Sequence, residues 1–189
     1  LAVSRLGGVD RLVGATKAEL REAGFSLRLA QDACSAPPVE SKTPWCVYGD
    51  DAYPGVLQDL PFPPPVIWWQ GNLDRLEAPA LAIVGARRCT QNGKDTAFAL
   101  AQETVRAGAV VVSGAARGID TAAHLGADGQ TVAVLGGAVG EGRSWAAAQM
   151  QDRLVEAGGL IVSEVAPGTP VRPGFFPRRN RIIAALGLG

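Results

Sequence analysis

The chain has 189 residues, of which 47% are hydrophobic, and its 18 basic side chains are balanced by 18 acidic ones. This length suits one medium domain with a small additional unit. No uninterrupted apolar run reaches the roughly 18 residues of a membrane span, and no signal peptide is visible. Cys34, Cys46 and Cys89 are unclustered, which argues against a disulfide framework and favours the cytoplasm.

The zero net charge hides an uneven distribution of charged residues. Residues 171–181 hold four arginines and no acid, whereas residues 49–77 hold five acids and a single arginine. Because a local basic face is enough to attract a polyanion, a neutral chain is still compatible with binding to nucleic acid.

The first 36 residues predict a small helical unit. Thr16 and Glu19 have the spacing of a capping box ahead of Leu20. A simple helical appendage and a binding module are equally open interpretations of this unit. Residues 37–44 are rich in proline and polar residues, and we predict a linker there.

The segment from residue 45 to residue 79 contains three tryptophans and the run PFPPP at 61–65. Dense prolines exclude a regular helix and favour extended chain. We therefore predict an edge strand of the main sheet at 66–70. Trp45, Trp68 and Trp69 could stack on bases, but we predict that this segment packs on the core.

From Ala80 onward, short apolar runs alternate with helical segments. The predicted order is strand 80–84, helix 93–107, strand 109–113, helix 120–127, strand 131–136, helix 145–157, strand 160–163, loop 165–177 and helix 179–186. Continuous apolar strands separated by helices are typical of parallel β-α-β units. The predicted fold class is thus α/β, with a Rossmann-like parallel sheet over residues 45–189.

Three of the predicted strands end in turns that contain glycine, and two of these turns carry arginine. The residues concerned are Gly85, Arg87 and Arg88 in the first turn, Ser113, Gly114, Arg117 and Gly118 in the second, and Gly136 and Gly137 in the third. Ligands of parallel sheets bind beyond the carboxyl ends of the strands, where helix N-termini add free N–H groups. The turns therefore predict a shared site for a polyanion or a nucleotide phosphate.

Cofactor and catalytic motifs do not match this chain. The first turn is not G-x-G-x-x-G, no acid ends the second strand, and there is no Walker A motif, so we predict no nucleotide cofactor. His124 is the sole histidine and is predicted to make a structural hydrogen bond. Asp120 is predicted to be a helix N-cap. We predict neither catalytic residues nor a metal site.

The last motif combines aromatic rings with basic side chains. Phe175 and Phe176 come shortly before Arg178, Arg179, Asn180 and Arg181. Rings beside arginines suit single-stranded nucleic acid, because bases stack on the rings while arginine binds the backbone. An alternative stays equally open, in which the rings pack under the loop and the arginines pair with acids.

Four motifs together closely resemble the bacterial DNA-processing protein A family, also called DprA or Smf. They are AIVGAR at 82–87, VVVSGAARGIDTAAH at 110–124, TVAVLGG at 131–137 and LIVSEVAPGTPVRPGFFPRRNRIIAAL at 160–186. The resemblance implies a cytoplasmic, non-enzymatic protein that binds single-stranded DNA, protects incoming DNA during natural transformation and helps to load RecA recombinase. It also implies that residues 1–36 belong to a SAM-like domain. By motif, it implies DNA contacts at Arg87, at Arg117 with the turn 114–118, and at 178–181. Together with the glycine turns and the aromatic rings described above, the predicted DNA-binding residues are Gly85, Arg87, Arg88, Ser113, Gly114, Arg117, Gly118, Gly136, Gly137, Phe175, Arg178, Arg179, Asn180 and Arg181.

Some features depart from the family pattern. The family's sheet continues beyond the point at which this chain ends, so we expect the C-terminal half, with its homodimer contacts, to be missing. The loops at 124–131 and 139–144 also differ from the family's. Two other functions stay open: a phosphoribohydrolase-like enzyme, although PGT at 167–169 lacks two glycines of the usual loop, and a domain that only docks a partner.

Overall fold

A computed structural model describes residues 15–24, 42–140 and 145–188, with the side chains of Trp145 and Ala146 outside that description. The α-helices are α1 (Lys17–Glu22), α2 (Gly55–Gln58), α3 (Gln91–Arg106), α4 (Ile119–Ala127), α5 (Trp145–Glu156) and α6 (Phe175–Leu186). The strands are β1 (Trp45–Val47), β2 (Val66–Gly71), β3 (Ala80–Ala82), β4 (Val110–Ser113), β5 (Thr131–Val134) and β6 (Leu160–Ser163). A short 3-10 helix occupies Leu73–Leu76.

The strands form one sheet in the order β1-β2-β6-β5-β4-β3. The last four strands in sequence, β3 to β6, are parallel, and β2 is antiparallel to both β6 and β1. The Rossmann-like α/β class predicted from the sequence is confirmed. Because consecutive parallel strands are neighbours and their crossovers are right-handed, α3, α4 and α5 lie on one face of the sheet. The helix that follows β6, α6, lies on the other.

Alternating strand residues supply the two apolar layers. Val110 and Val112 belong to a cluster with Ile182 and Ile183 of α6. Val111, between them, belongs to a cluster with alanines of α3 and α4. This alternation follows from the two-residue period of a strand, which sends successive side chains to opposite faces.

The prediction of an edge strand at 66–70 is wrong. The strand exists, but β2 pairs with β6 on one side and with the three residues of β1 on the other. The apolar run around Trp45 is too short to be recognised from the sequence as β1, the strand that pairs with the outer edge of β2. Trp68 is buried and Trp69 packs against the core, which confirms the predicted packing, whereas Trp45 is 45% exposed.

Helix α6 begins four residues earlier than predicted. The prediction took Pro177 as part of the preceding loop, but Pro177 occupies the third position of the helix. A proline is tolerated there because the first N–H groups of a helix have no intrahelical acceptor. The arginines therefore lie in the first two turns of α6, and Phe175 and Phe176 belong to the helix as well.

The N-terminal segment is described only in part. The predicted capping box is confirmed, since the Glu19 amide donates to Thr16 Oγ1 and the Thr16 amide donates to Glu19 Oε2. The rest of the predicted helical unit, most of the linker and Cys34 lie outside the described residues, so the division at residues 36 and 44 stays a prediction. Cys46 and Cys89 are free thiols. Across the described ranges, no helix is both long and apolar enough to cross a membrane.

Candidate nucleic-acid interface

A cleft of about 520 Å³ opens at the carboxyl edge of the parallel strands. Gly85 and Arg87 line it from the turn after β3, and Ala116 from the turn after β4. Phe176 and Asn180 line it from α6. The structure thus brings the first arginine-bearing turn face to face with the aromatic and basic segment, two elements that are about 90 residues apart in sequence.

The glycines of the first two turns allow these turns to touch. A Cβ atom on Gly85 would lie 2.7 Å from Ile119 Cγ1, and one on Gly118 would lie 2.3 Å from the Ala86 carbonyl oxygen. Gly118 also has φ +92°, a backbone conformation that residues with a Cβ atom rarely adopt. These glycines are therefore required by close packing between the turns.

The third glycine turn packs against the segment that leads into α6. A Cβ atom on Gly136 would lie 2.7 Å from Phe176 Cδ1, and one on Gly137 would lie 3.1 Å from Val171 Cγ2. The Gly137 carbonyl also accepts a 2.7 Å hydrogen bond from Ser163 Oγ. The turn therefore supports Phe176 from below and is itself largely covered.

Asp120 has a different role from the predicted one. The N-cap of α4 is Gly118, and Asp120 is the second residue of the helix. Its carboxylate accepts hydrogen bonds from the Gly85 amide at 3.2 Å and from the Ala116 amide at 3.3 Å. The N-cap prediction is wrong because the helix starts earlier, which leaves this buried carboxylate free to join the two arginine-bearing turns.

Arg179 lines the inner wall of the cleft and is 6% exposed. Its Nη1 donates to the Gly114 carbonyl at 2.7 Å and also to the Val134 carbonyl. Burial lowers the pKa of Arg179, while the nearby Asp120 carboxylate raises it and Arg87 lowers it; an arginine still stays charged. The guanidinium therefore links the ends of β4 and β5 to α6 and positions the turns around the cleft.

Ser113 and Gly114 are buried as well. Ser113 Oγ donates a 2.6 Å hydrogen bond to the Ile83 carbonyl, which joins β4 to the end of β3. The space beside Gly114 is occupied by Arg179 and Asp120, whose nearest atoms would lie 2.6 and 2.7 Å from a Cβ atom there. Both residues underlie the cleft.

Three exposed arginines, Arg87, Arg88 and Arg117, lie in the two arginine-bearing turns. Within the described part of the chain, none of them forms an ion pair with a carboxylate. The Arg87 guanidinium lies over the Phe176 ring, 5.5 Å from its centroid, a cation–π arrangement. A positive charge and a half-buried aromatic ring thus stand side by side at the mouth of the cleft.

Arg178 and Arg181 both pair with one acid, Glu164. Arg181 binds its two carboxylate oxygens at 3.0 and 2.7 Å, and Arg178 Nη2 lies 3.0 Å from Oε2. For these two arginines the structure shows the acid pairing that the sequence left open as an alternative. Phe175, which is half-buried, lies beside Arg178, and Asn180 accepts a hydrogen bond from Arg179 Nε.

Sequence reasoning did not find Glu164. It follows β6 directly, but the local sequence does not indicate that it pairs with Arg178 and Arg181, which lie 14 and 17 residues further along the chain. The one available signal was its position at the carboxyl end of a parallel strand, where functional side chains of such sheets collect.

His124 makes the predicted structural hydrogen bond. Its Nδ1 lies 2.7 Å from Thr131 Oγ1, whose own proton is donated to the Val111 carbonyl at 2.7 Å. His124 must therefore donate from Nδ1, which defines its tautomer. Burial, with a smaller effect of Arg179, lowers the pKa of His124 to about 4, so the imidazole is neutral near pH 7.

No ligand set for a metal is found in the ranges 15–24, 42–140 and 145–188: no three His, Cys, Asp or Glu side chains come together in a suitable way. The cleft is lined by the guanidinium groups of Arg87 and Arg179, the Asn180 amide, the Asp120 carboxylate and the Phe176 ring, together with aliphatic side chains. Asp120 and Arg179 are already bonded to the backbone, so the exposed Arg87 guanidinium and the Phe176 ring are the groups best suited to bind an anion and a base.

Comparisons of sequence place the chain among known proteins. The family described as DNA recombination-mediator protein A matches residues 45–189. DNA processing protein DprA of Streptococcus pneumoniae is 38% identical over 143 residues, which cover 74% of this chain and 50% of that protein. Protein Smf of Synechocystis is 39% identical over 155 residues, 78% of this chain and 39% of that protein. The chain thus spans half or less of the length of these two relatives.

Solved structures give the same result. DNA processing protein A from Streptococcus pneumoniae matches with a TM-score of 0.80 and 27% identity, covering 98% of this chain and 73% of that one. A structure of DNA processing protein A from Helicobacter pylori, which concerns its single-stranded DNA binding mode, matches with a TM-score of 0.68 and 28% identity over 77% of this chain and 67% of that one. From the match over residues 45–189 and these relatives, the chain belongs to the DNA recombination-mediator protein A family.

Proposed function

We propose that the chain binds single-stranded DNA along the carboxyl edge of its sheet and serves DNA processing during natural transformation. The observation that carries this proposal is the pairing of Arg87 with the Phe176 ring at the mouth of an open cleft. Membership of the family supports it, as does the single-stranded DNA binding of the Helicobacter pylori relative.

Binding by this surface would depend on charge and stacking. Arg87, Arg88 and Arg117 offer exposed guanidinium groups to phosphates. When Arg87 turns from the Phe176 ring to a phosphate, a base can stack on the ring in its place. Stacking contributes about 1–3 kcal/mol per base and tolerates any base, because every base has an aromatic face. We therefore propose binding with little sequence preference.

Two partners are part of the proposal. In our account the bound strand is protected from nucleases because the protein covers it, and it is then handed to RecA recombinase. A homodimer would extend the DNA-binding surface over two copies. The transfer to RecA and the homodimer are proposed from the resemblance to the family, and no contact within this chain bears on either. We also propose that the protein acts by binding alone and is not an enzyme.

The experiment compares oligo-dT binding by the unchanged chain and by Arg87→Ala, using fluorescence anisotropy over a range of salt concentrations. We expect Arg87→Ala to weaken binding at least tenfold and to reduce the slope of log K against log[salt] by about 0.7, the value for one phosphate contact on a single strand. Because we propose binding without catalysis, the oligonucleotide should be recovered intact after incubation with the protein.

The matched control is Arg106→Ala. Arg106 is an exposed arginine at the other end of α3, where it pairs with Glu103, so its loss should leave the affinity and the slope unchanged. Equal effects of the two substitutions, or none for Arg87→Ala, would contradict the proposed site. A chain that binds no oligo-dT would contradict the proposed function.

A further inference from the structure

Glu164 is a buried acid shared by two arginines at the rim of the proposed DNA site. Its side chain is 5% exposed and receives ion pairs from both Arg178 and Arg181. Since a buried carboxylate without a partner is strongly unfavourable, Glu164 requires at least one of the two arginines. It does not require both.

The two arginines are held very differently. Arg181 binds both oxygens of Glu164, and its Nε donates to the Phe62 carbonyl at 3.2 Å. Arg178 makes a single contact with Glu164, at 3.0 Å, and its side chain is 57% exposed against 23% for Arg181. Arg181 is therefore fixed, whereas Arg178 has one bond to lose and solvent around it.

Release of Arg178 would leave Glu164 satisfied. The bidentate pair with Arg181 keeps both carboxylate oxygens bonded, and such a pair is the stronger of the two arrangements. Arg178 makes one contact with Glu164 and its own side chain is largely exposed, so a DNA phosphate can compete with Glu164 for Arg178.

The position of Arg178 suits such a competition. It follows Phe176 by two residues and directly precedes Arg179, and both of these line the cleft. Glu164 follows β6, three strands from β3 and Arg87, a span of about 14 Å at roughly 4.8 Å per strand. A strand of DNA that leaves the Arg87–Phe176 pair along this edge would come to Arg178.

We propose that Arg178 exchanges between Glu164 and a DNA phosphate, and that Glu164 is a positioning residue that limits the affinity for DNA by holding Arg178. This inference rests on the proposed function, because the competing anion is the phosphate of a single strand.

The test is a double-mutant cycle on oligo-dT affinity, with Glu164→Gln, Arg178→Ala and the double variant. Glu164→Gln should tighten binding by about 1.5- to 5-fold, a modest gain because Glu164 holds the largely exposed Arg178 through a single contact. Arg178→Ala should weaken binding and reduce the salt slope by about 0.7. In the Arg178→Ala background, Glu164→Gln should give no gain, because the residue that it releases is no longer there.

The cycle separates exchange from a general effect of charge. If the gain from Glu164→Gln persists in the Arg178→Ala background, the acid acts through its field, and the proposal is overturned. Glu103→Gln, which removes an exposed acid at the opposite edge, should leave the affinity unchanged. Thermal unfolding shows whether Glu164→Gln is folded. If it is not, the salt dependence of oligo-dT binding by Arg178→Ala is the remaining criterion, and an unchanged slope overturns the proposal.

Failure of this inference differs from failure of the proposed function. If the unchanged chain binds oligo-dT but the cycle shows no coupling, only the exchange is wrong. If the unchanged chain does not bind oligo-dT, the proposed function is wrong and the exchange falls with it.

Discussion

Arg87 and Arg179 are the same residue type at one cleft, and their surroundings give them different roles. Arg87 is exposed and lies over an aromatic ring, whereas Arg179 is buried with its Nη1 directed at two carbonyls. A guanidinium that already binds two carbonyls has little left to offer a phosphate. At the residue scale, then, we propose DNA contact for Arg87 and positioning of the turns for Arg179.

Arg179→Lys tests this assignment through stability. A lysine keeps the charge but lacks the planar fork that binds the Gly114 and Val134 carbonyls together. We expect the free energy of unfolding to fall by about 1–3 kcal/mol, the cost of leaving a buried polar group unsatisfied. Urea denaturation measures it, with Arg87→Lys as the control, which should change stability by less than about 0.5 kcal/mol. Equal stabilities for the two variants would contradict the assignment.

His124 makes stability depend on pH. Its pKa is lowered from 6.5 to about 4 in the folded protein, so between these pH values the unfolded chain binds a proton that the folded chain does not. The stabilising contribution is therefore complete above about pH 6.5 and is lost as the pH falls toward 4, by about 3 kcal/mol in all.

His124→Asn is the variant that isolates this contribution. An asparagine can donate to Thr131 Oγ1 in place of Nδ1 but does not titrate. Urea unfolding at several pH values from 7.5 to 4 should show a shallower loss of stability for the variant than for the unchanged chain. Parallel curves would mean that His124 is not responsible.

At the scale of elements, the parallel strands and their helices were predictable from the sequence because each is coded locally. Val110–Ser113 and Leu160–Ser163 are short, mainly apolar runs next to glycine or polar residues. Such a run indicates a buried strand without knowledge of the elements against which the strand packs. The start of α6 was not predictable in the same way. Pro177 is as compatible with a loop as with a first helical turn, and the start of the helix at Phe175 comes with a contact between Phe176 and the distant Gly136 that no local pattern reveals.

The antiparallel part of the sheet shows the same limit. A strand at 66–70 could be recognised from its apolar residues, but its neighbours could not, because β1 has only three residues. The candidate site divides along this line too. The glycines and arginines of the turns could be recognised locally, whereas the contacts of Asp120, Glu164 and Arg179 join segments far apart in sequence and depend on the finished fold.

At the scale of the whole molecule, the charge distribution is organised by the sheet. The turns after β3 and β4 and the start of α6 all lie at one edge, so arginines from three separate segments collect there although the chain is neutral. Glu164 partly offsets them at the β6 end. The edge therefore has its free arginines near β3 and β4 and its paired arginines near β6.

A crystal structure of the chain bound to a short oligo-dT tests most directly whether DNA binds at the end of this edge that carries the unpaired arginines. The account predicts that Arg87 leaves the Phe176 ring, with a phosphate within hydrogen-bonding distance of its guanidinium and a thymine stacked on the ring in its place. An oligonucleotide bound to another surface, with this cleft open and its Arg87–Phe176 pair untouched, would contradict it.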